Sequence, residues 1–229
     1  MTDGLNAPEE GGRPVLQAIT AVVLVAAVMG GLWAQHKLVR HKDASSAPAS
    51  CSNPTNHLPA RYVSGARLCT VLNRPDLPAL LGTPREKIET AGGSGGWITL
   101  AGGTKIAAPE ATVSLKTYSV KLSASYDDMP VSEAGDLLND ARRTTVLGHP
   151  AVVYSSPTIS FKFNLAGGKA DTGPGGTARC VLVSKHGKDD GKGTFELAIW
   201  RQDDVYPDDT ALLRVAEQVL QTVPGWSER

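Results

Sequence analysis

The hydrophobic positions of the chain form one long apolar run near its start and a set of short periodic segments after it. Residues 14–36 contain no Asp, Glu, Lys or Arg, and Gln17 and Thr20 are the polar interruptions in the central part of the run. Roughly 20 apolar residues in a helix cross the hydrocarbon core of a bilayer. The pattern predicts one N-terminal transmembrane helix over residues 14–36, preceded by a short tail at residues 1–13.

A cleaved signal peptide is the alternative to a membrane anchor, but the leader is acidic and no A-x-A cleavage pattern follows the run.

The orientation of this helix has evidence on both sides. Arg13 precedes the span, whereas three cations follow it at Lys37, Arg40 and Lys42, which favours a cytoplasmic domain. A Ser/Ala/Pro-rich stalk and a cysteine pair favour the opposite side. We expect an extracytoplasmic globular domain on a single-pass anchor in the cell membrane.

Small residues recur at every fourth position of the predicted span, at Ala26, Gly30 and Ala34. This spacing lets two helices approach closely, so it is a candidate contact for a homodimer. The alternative is a lipid-facing helix that is merely rich in Ala and Gly.

After the span, residues 43–60 have almost no apolar periodicity and contain three prolines. Such a segment cannot bury a face, so residues 37–61 are predicted to form a stalk linker and residues 62–229 the globular domain.

The first part of this domain combines helical and strand patterns. Apolar residues on one side predict a helix over residues 66–73, which Pro75 stops. A second helical turn follows, with Asp76 as its N-cap. Glycines around residues 97–100 predict flexible loops that flank a short strand. Alternating apolar positions over 111–124 change phase once, which predicts two strands or one bulged strand.

The second part consists mainly of strands. Ser132 is the predicted N-cap of a helix whose C-terminal end carries Arg142 and Arg143. Pro207 lies in the first turn of the last helix. Strands are predicted over 145–154, interrupted at 148–150, and over 158–165, 177–185 and 194–201. The fold class is therefore α+β, an antiparallel sheet with helices packed on one face. One core is expected to contain Phe161, Phe163, Leu197, Ile199, Leu212, Val215 and Val219.

Charge and motifs narrow the functional classes. The 229 residues include 23 Lys and Arg and 23 Asp and Glu, with both signs interspersed. Because phosphate binding needs a basic cluster on one face, nucleic acid is excluded as the main partner. The glycine segments lack the spacing of a phosphate loop or a dinucleotide fingerprint, so no cofactor is expected.

Several segments carry a resemblance to a known family. They are LCTVLNRPDLPALLGTP, TYSVKLSASYDDMP, TVLGHPAVVY, DTGPGG and IWRQDD. Together with the order of elements, they resemble a family of actinobacterial single-pass membrane proteins that carry a domain of unknown function. The layout is also similar to cell-envelope domains of the PsbP-like or Mog1-like sandwich type. The resemblance implies a cell-envelope location and supplies no catalytic or ligand residues.

The three cysteines cannot all pair within one chain. Cys180 falls in a predicted strand, where a small apolar side chain suits a core. For an extracytoplasmic domain we expect a Cys51–Cys69 disulfide, with Cys69–Cys180 as the alternative. In the cytoplasm all three would be thiols. Without a CxxC or HxxxH pattern, a zinc site is not expected.

Six carboxylates stand in doublets, and they are the candidates for a cation site or a basic partner, at Asp127, Asp128, Asp203, Asp204, Asp208 and Asp209. Calcium takes about six to eight oxygen ligands, although helix capping explains at least the last doublet. No nucleophile elbow is expected, and His149 is interpreted as a turn residue. No catalytic residue is nominated.

Two main classes of function remain. The first is a non-catalytic envelope module that binds a protein, lipid or small ligand. The second is an envelope hydrolase with an unrecognised site, and a purely structural anchor is a third alternative. The absence of a catalytic signature and the membrane stalk favour the binding module. A deep pocket with perturbed pKa values would favour an enzyme, whereas an exposed apolar patch would favour partner binding.

Overall fold

The computed structural model describes residues 49–51, 58–100, 102–163, 170–203 and 205–226. The predicted tail, the transmembrane helix with Ala26, Gly30 and Ala34, and Asp204 lie outside these residues. None of the described helices is long and apolar enough to cross a membrane. The side chains of residues 160–172 are not described either, so the core positions of Phe161 and Phe163 stay predictions.

One antiparallel sheet is the centre of the fold. Its strands are β1 (Thr90–Thr99), β2 (Lys105–Ser114), β3 (Tyr118–Ser125), β4 (Arg142–Val146), β5 (His149–Phe163), β6 (Ala170–Ser184) and β7 (Thr194–Arg201). The order across the 7-stranded sheet is β1-β2-β3-β7-β6-β5-β4. Neighbours in the sheet are also neighbours in the chain, except that β3 pairs with β7. The predicted α+β class with an antiparallel sheet is confirmed.

Four helices accompany the sheet in the described residues. They are α1 (Gly65–Leu72), α2 (Leu77–Leu80), α3 (Val131–Asp136) and α4 (Asp209–Leu220). The hydroxyl of Ser64 accepts a hydrogen bond from Arg67 N and so caps α1. The carboxylate of Asp208 caps α4 in the same way, with Thr210 N as the donor. Both helices bury one apolar side, as their periodicity predicts.

Two predicted side-chain caps are not formed, although Asp76 does stand at the N-cap position of α2. Asp76 makes no side-chain cap bond, because its carboxylate instead accepts a hydrogen bond from Arg74 Nε at 2.6 Å. Helix α3 has no side-chain cap of its own. The carboxylate of Asp189, in the loop between β6 and β7, accepts hydrogen bonds from Val131 N and Ser132 N. This cap comes from a distant part of the chain, which local spacing cannot reveal.

Several strand predictions also differ from the structure. The glycine-rich segment before Trp97 belongs to β1 and is not a loop. Arg142 and Arg143, predicted at a helix end, begin β4. Leu147 and Gly148 form the turn of a β4–β5 hairpin, with φ of 52° and 81°, rather than an interruption within one strand. Both positive φ values are typical of the tight turn that matches the twist of paired strands.

The sheet has two unequal apolar faces. The larger core lies between the sheet and helices α1 and α4 and includes Leu197, Ile199, Leu212, Val215 and Val219, as predicted. The smaller cluster lies on the other face and contains Tyr154, Ala178, Cys180 and Ala198. Helix α3 packs on that second face, where Gly135 contacts Val152. The prediction that all helices share one face is therefore wrong, because strand alternation gives both faces apolar positions.

Helix α1 and strand β1 approach each other at backbone distance. A Cβ atom on Gly65 would lie 1.9 Å from Ser94 O, and one on Gly93 would lie 2.1 Å from Gly65 O. A Cβ on Gly95 would lie 2.9 Å from Pro109 Cα. Because no side chain fits between these elements, the glycines that predict a loop from local propensity form a strand under a helix instead.

We expect Gly65→Ala to destabilise the fold by about 2 kcal/mol or more, since backbone atoms must separate to admit the methyl group. Gly187→Ala is the control, because a Cβ there meets no atom within 4 Å. The measurement is urea unfolding of the full chain in detergent. Equal midpoints for the two variants would contradict the backbone contact.

Candidate functional site

The acidic doublets serve separate local roles. The Asp127 carboxylate accepts hydrogen bonds from Ser125 Oγ and Met129 N. Asp203 binds the guanidinium of Arg201, with Asp203 Oδ1 2.8 Å from Nε and Oδ2 2.5 Å from Nη2. The hydrogen bonds from Arg201 lower the pKa of Asp203 to about 2. The carboxylates of Asp127 and Asp203 therefore already accept hydrogen bonds from groups of the protein.

A shared cation site is not formed by the described residues. Among them, no three His, Cys, Asp or Glu side chains lie close enough together to hold a metal ion. Asp208 is engaged as the cap of α4 and Asp209 binds arginine. Asp204 lies outside the described part, so cation binding by its doublet stays a prediction. An unchanged melting temperature between chelator and millimolar Ca²⁺ would contradict it.

Asp209 is the acidic residue with the strongest structural role. Its Oδ1 accepts a hydrogen bond from Arg179 Nε at 2.6 Å, and its Oδ2 accepts from Arg179 Nη2 at 2.9 Å. Arg142 Nη2 binds the same Oδ2 at 2.9 Å. The hydrogen bonds from Arg179 are the main reason that the pKa of Asp209 is lowered. Arg179 is buried, so this pair joins the start of α4 to strand β6.

Ser155 and Tyr206 extend this network. Ser155 Oγ lies 2.7 Å from Arg179 Nη1 and 2.7 Å from the hydroxyl oxygen of Tyr206. A serine nucleophile needs a neighbouring base to take its proton. The groups that contact Ser155 Oγ are a guanidinium and a phenol, neither of which is such a base. The network is suited to positioning α4 rather than to chemistry.

A row of polar and small residues crosses the second face of the sheet. Cross-strand pairing aligns Lys121, Ala198, Cys180 and Tyr154 on strands β3, β7, β6 and β5. Lys121 is buried although it is charged, and its Nζ lies 3.8 Å from Glu196 Oε1. This row is not among the features predicted from the sequence. The signal that could have found it is a lysine at an alternating position between Val120 and Leu122.

The pKa values in this row are shifted away from neutral pH. Burial raises the pKa of the Cys180 thiol and the pKa of the Tyr154 phenol. Burial works to lower the pKa of Lys121, but the carboxylates of Glu196 and Glu110 outweigh it and the net shift is upward. A general base or an activated thiol near neutral pH needs the opposite directions. These groups remain protonated and serve packing.

Residues 92–96, with the sequence Gly-Gly-Ser-Gly-Gly, match the GxSxG spacing of a hydrolase nucleophile. That motif functions at a sharp turn from a strand into a helix. Ser94 instead lies in the middle of β1, and its Oγ donates a hydrogen bond to Glu110 Oε1 at 3.3 Å. Ser94 therefore lies within a strand and not on an elbow.

His149 is a buried structural residue. Its Nδ1 lies 2.9 Å from Ser184 O, and its ring stacks on Trp226 with the centroids 4.1 Å apart. It stands at the first residue of β5, directly after the hairpin turn. The contacts support the interpretation of a satisfied turn histidine.

The structure contains a Cys51–Cys69 disulfide, and Cys180 is a buried free cysteine. Ala49 and Cys51, which belong to the predicted stalk, pack against the larger core. Ala49 O also accepts a hydrogen bond from Asn73 Nδ2 at 2.7 Å. Ala49 and Cys51 are therefore held on the face of the sheet that carries α1 and α4.

The clefts are open to solvent. The larger, of about 540 Å³, lies beside α1 and the end of α4 and includes Arg67 and Arg74 in its wall. The guanidinium of Arg74 is already engaged by Asp76 and by Gln218 O. The other cleft, of about 170 Å³, lies beside Asp189, the residue that caps α3. Neither of these clefts encloses a set of free converging polar groups.

The tip of the β1–β2 hairpin exposes apolar side chains. Trp97, Ile98 and Leu100 are 43%, 38% and 37% exposed, respectively. We call these three residues the hairpin tip. Trp97 packs edge-on against Tyr62, with ring centroids 5.5 Å apart, and Tyr62 packs in the same way on Tyr126 at 4.7 Å. Sequence analysis predicted the strand but not its exposure.

Taken together, the fold and these contacts define an α+β domain with an exposed apolar hairpin and buried polar groups that serve structure. Residues 9–141 match a family of unknown function, DUF6215. The match covers more than half of the chain, which therefore belongs to this family. No curated protein and no solved structure matches the chain. The expected domain of unknown function is confirmed, whereas the actinobacterial and membrane assignments stay predictions.

We expect Asp209→Asn to lower the free energy of unfolding at pH 7 by about 2 kcal/mol, because it leaves the buried Arg179 without its anion. The lowered pKa of Asp209 gives stability that is present above its unfolded value, near 3.9, and is lost as the pH falls through the folded value. The difference in free energy of unfolding between wild type and Asp209→Asn should therefore become smaller towards pH 3. Urea unfolding at both pH values measures it.

Asp203→Asn is the matched control for this prediction. It removes the aspartate of a second arginine–aspartate pair, but Asp203 is exposed, so we expect a smaller loss of stability than for Asp209→Asn. The role assigned to the Asp209 charge would be contradicted if the free energies of unfolding of wild type and Asp209→Asn differed by the same amount at pH 7 and pH 3.

Proposed function

We propose that the chain is a non-catalytic interaction module, anchored in the cell membrane by residues 14–36, that presents its globular domain in the cell envelope and binds a protein partner. The observation that carries this proposal is the hairpin tip, which leaves three large apolar side chains in solvent on one short segment. Large exposed apolar side chains gathered on one segment favour a contact surface. The actinobacterial origin and the PsbP-like or Mog1-like layout are parts of the same proposal.

Rigid support makes the hairpin tip suited to binding. Trp97 is held by Tyr62, and the hydroxyl of Tyr126 accepts a hydrogen bond from Val63 N at 2.9 Å. Arg61 lies over the Tyr62 ring, with its Cζ 4.8 Å from the ring centroid. A preorganised aromatic side chain loses little entropy on binding, so it can contribute strongly to an interface.

The chemistry of the buried groups favours binding over catalysis. The protonated states of Cys180, Tyr154 and Lys121 do not supply a nucleophile or base at neutral pH. Ser155 faces an arginine, and Ser94 lies within a strand. The described clefts also lack the converging free polar groups of a ligand site.

The extracytoplasmic location rests on the disulfide. Disulfides persist in oxidising compartments and are rare in the cytoplasm. The cations at Lys37, Arg40 and Lys42 argue for the other orientation. The positive-inside bias that they reflect is a statistical tendency, counted over the short segments that flank a span. We give the covalent Cys51–Cys69 bond the greater weight.

A thiol-labelling experiment tests the location. Cells that produce the full chain are treated with a membrane-impermeant maleimide, with and without an impermeant reductant. We expect labelling after reduction only, because Cys51 and Cys69 are bonded and Cys180 is buried. The variant Cys69→Ser leaves Cys51 free and should react in intact cells without reductant. Reaction of that variant only after lysis would place the domain in the cytoplasm.

A photo-crosslinking experiment tests the interaction surface. A photoreactive amino acid replaces Ile98 in the full chain, in the cells that normally produce it, and the control carries it at Glu217, an exposed residue of α4. We expect a protein adduct from position 98 and none from 217. Adding Leu100→Glu should weaken binding about tenfold and reduce the adduct accordingly, because it places a charge in the apolar contact.

Equal adducts at positions 98 and 217 would argue against a specific surface. An adduct that Leu100→Glu leaves unchanged would do the same. Adducts with lipid alone would replace the protein partner by the membrane and overturn this part of the proposal.

A further inference from the structure

The two edges of the sheet differ in how well they are protected from another strand. The β4 edge has 5 residues and begins with two exposed arginines, Arg142 and Arg143. The β1 edge has 10 residues and contains neither a charged residue nor a proline. Proteins usually protect edge strands by shortness, charge or proline, because a free edge pairs readily with another chain. By these criteria β4 is protected and β1 is not.

The pairing register identifies the free backbone groups of β1. Leu100 N donates to Thr104 O at 2.8 Å, and antiparallel partners alternate between bonded and non-bonded pairs. The even-numbered residues of β1 therefore bond to β2. The amides and carbonyls of the odd-numbered residues point to the open edge, at Ala91, Gly93, Gly95, Trp97 and Thr99. In the described residues, β1 has no strand partner other than β2.

We propose that this edge pairs antiparallel with β1 of a second copy of the chain, so that the two sheets become continuous. The inference rests on the proposed function, since it names the partner of the hairpin module. An uncharged strand can face its own copy without repulsion. A two-fold register centred on Ser94 or Gly95 pairs the outward backbone groups of Trp97 with those of Ala91 or Gly93 of the second copy.

The position of the N-terminal segment favours a second copy over an unrelated strand. Edge-to-edge pairing in one continuous sheet places the two-fold axis normal to the sheet, so both helical faces point the same way. Ala49 and Cys51 pack on that face. Ala49 of each copy therefore lies on the same side of the dimer, as two copies anchored in one membrane require.

Proline at an outward-facing amide tests the pairing. The full chain in detergent is examined by sedimentation equilibrium as wild type, Trp97→Pro and Trp97→Val. Both variants lose the indole, but proline alone removes the outward N–H. We expect Trp97→Pro to dimerise about tenfold or more weakly than Trp97→Val, since the two-fold axis makes one substitution remove two hydrogen bonds. Circular dichroism and the thermal transition check that both variants fold.

A cysteine at the predicted axis gives a second measurement that does not depend on proline. Both registers place Ser94 of the two copies close together, so Ser94→Cys should yield a disulfide-linked dimer on a non-reducing gel. Gly30→Leu tests the alternative contact between transmembrane helices. We expect this variant to remain dimeric with the dissociation constant of the wild type.

The outcomes separate this inference from the proposed function. A monomeric wild type, or a dimer that is lost in Gly30→Leu while Trp97→Pro and Trp97→Val associate equally, overturns the edge pairing. The adduct from position 98 should have twice the mass of the chain. An adduct with a different protein would retain the interaction module but overturn the second copy as its partner, whereas no adduct at all would contradict both.

Discussion

The backbone contact between helix α1 and strand β1 is the constraint on which most of the architecture depends. Gly65 and Gly93 bring the helix closer to the sheet than any residue with a side chain would permit. At this depth Leu68 and Leu72 are fully buried, and Cys69 faces the core where Cys51 reaches it. The same contact therefore shapes the larger core, places the disulfide and holds the N-terminal segment on one face of the sheet.

Several charged groups in this domain join one element to another. Arg179 is buried, but Asp209 satisfies its guanidinium and so joins the first turn of α4 to β6. Asp189 performs a similar function for α3 through two backbone amides. Carboxylates that look like cation ligands in the sequence thus stabilise helix starts and arginines. The apolar hairpin tip is an exposed feature that is available for recognition, and it lies next to an unprotected strand edge.

Local periodicity predicted the helices that have one apolar side. Helices α1 and α4 follow their patterns to within a few residues, because each buries a single continuous stripe. Strand β7 also lies where it was predicted, although it is buried on both faces. The prediction failed where a distant group replaced a local one. Glycines formed a strand because a helix covers them, and Ser132 lost its capping role to Asp189. Those partners are remote in sequence, so no window of neighbouring residues contains the information.

The sequence by itself determined the α+β class, the apolar run at residues 14–36, and the two disulfide pairings that remained open for the three cysteines. Tertiary structure decided the rest. It joined Cys51 to Cys69, separated the acidic doublets, buried Lys121 beside Glu196, and left Trp97 exposed at the end of an unpaired edge. Periodicity reports which side of an element is apolar, but exposure and pairing depend on which elements lie beside one another, and the order of strands across the sheet sets that.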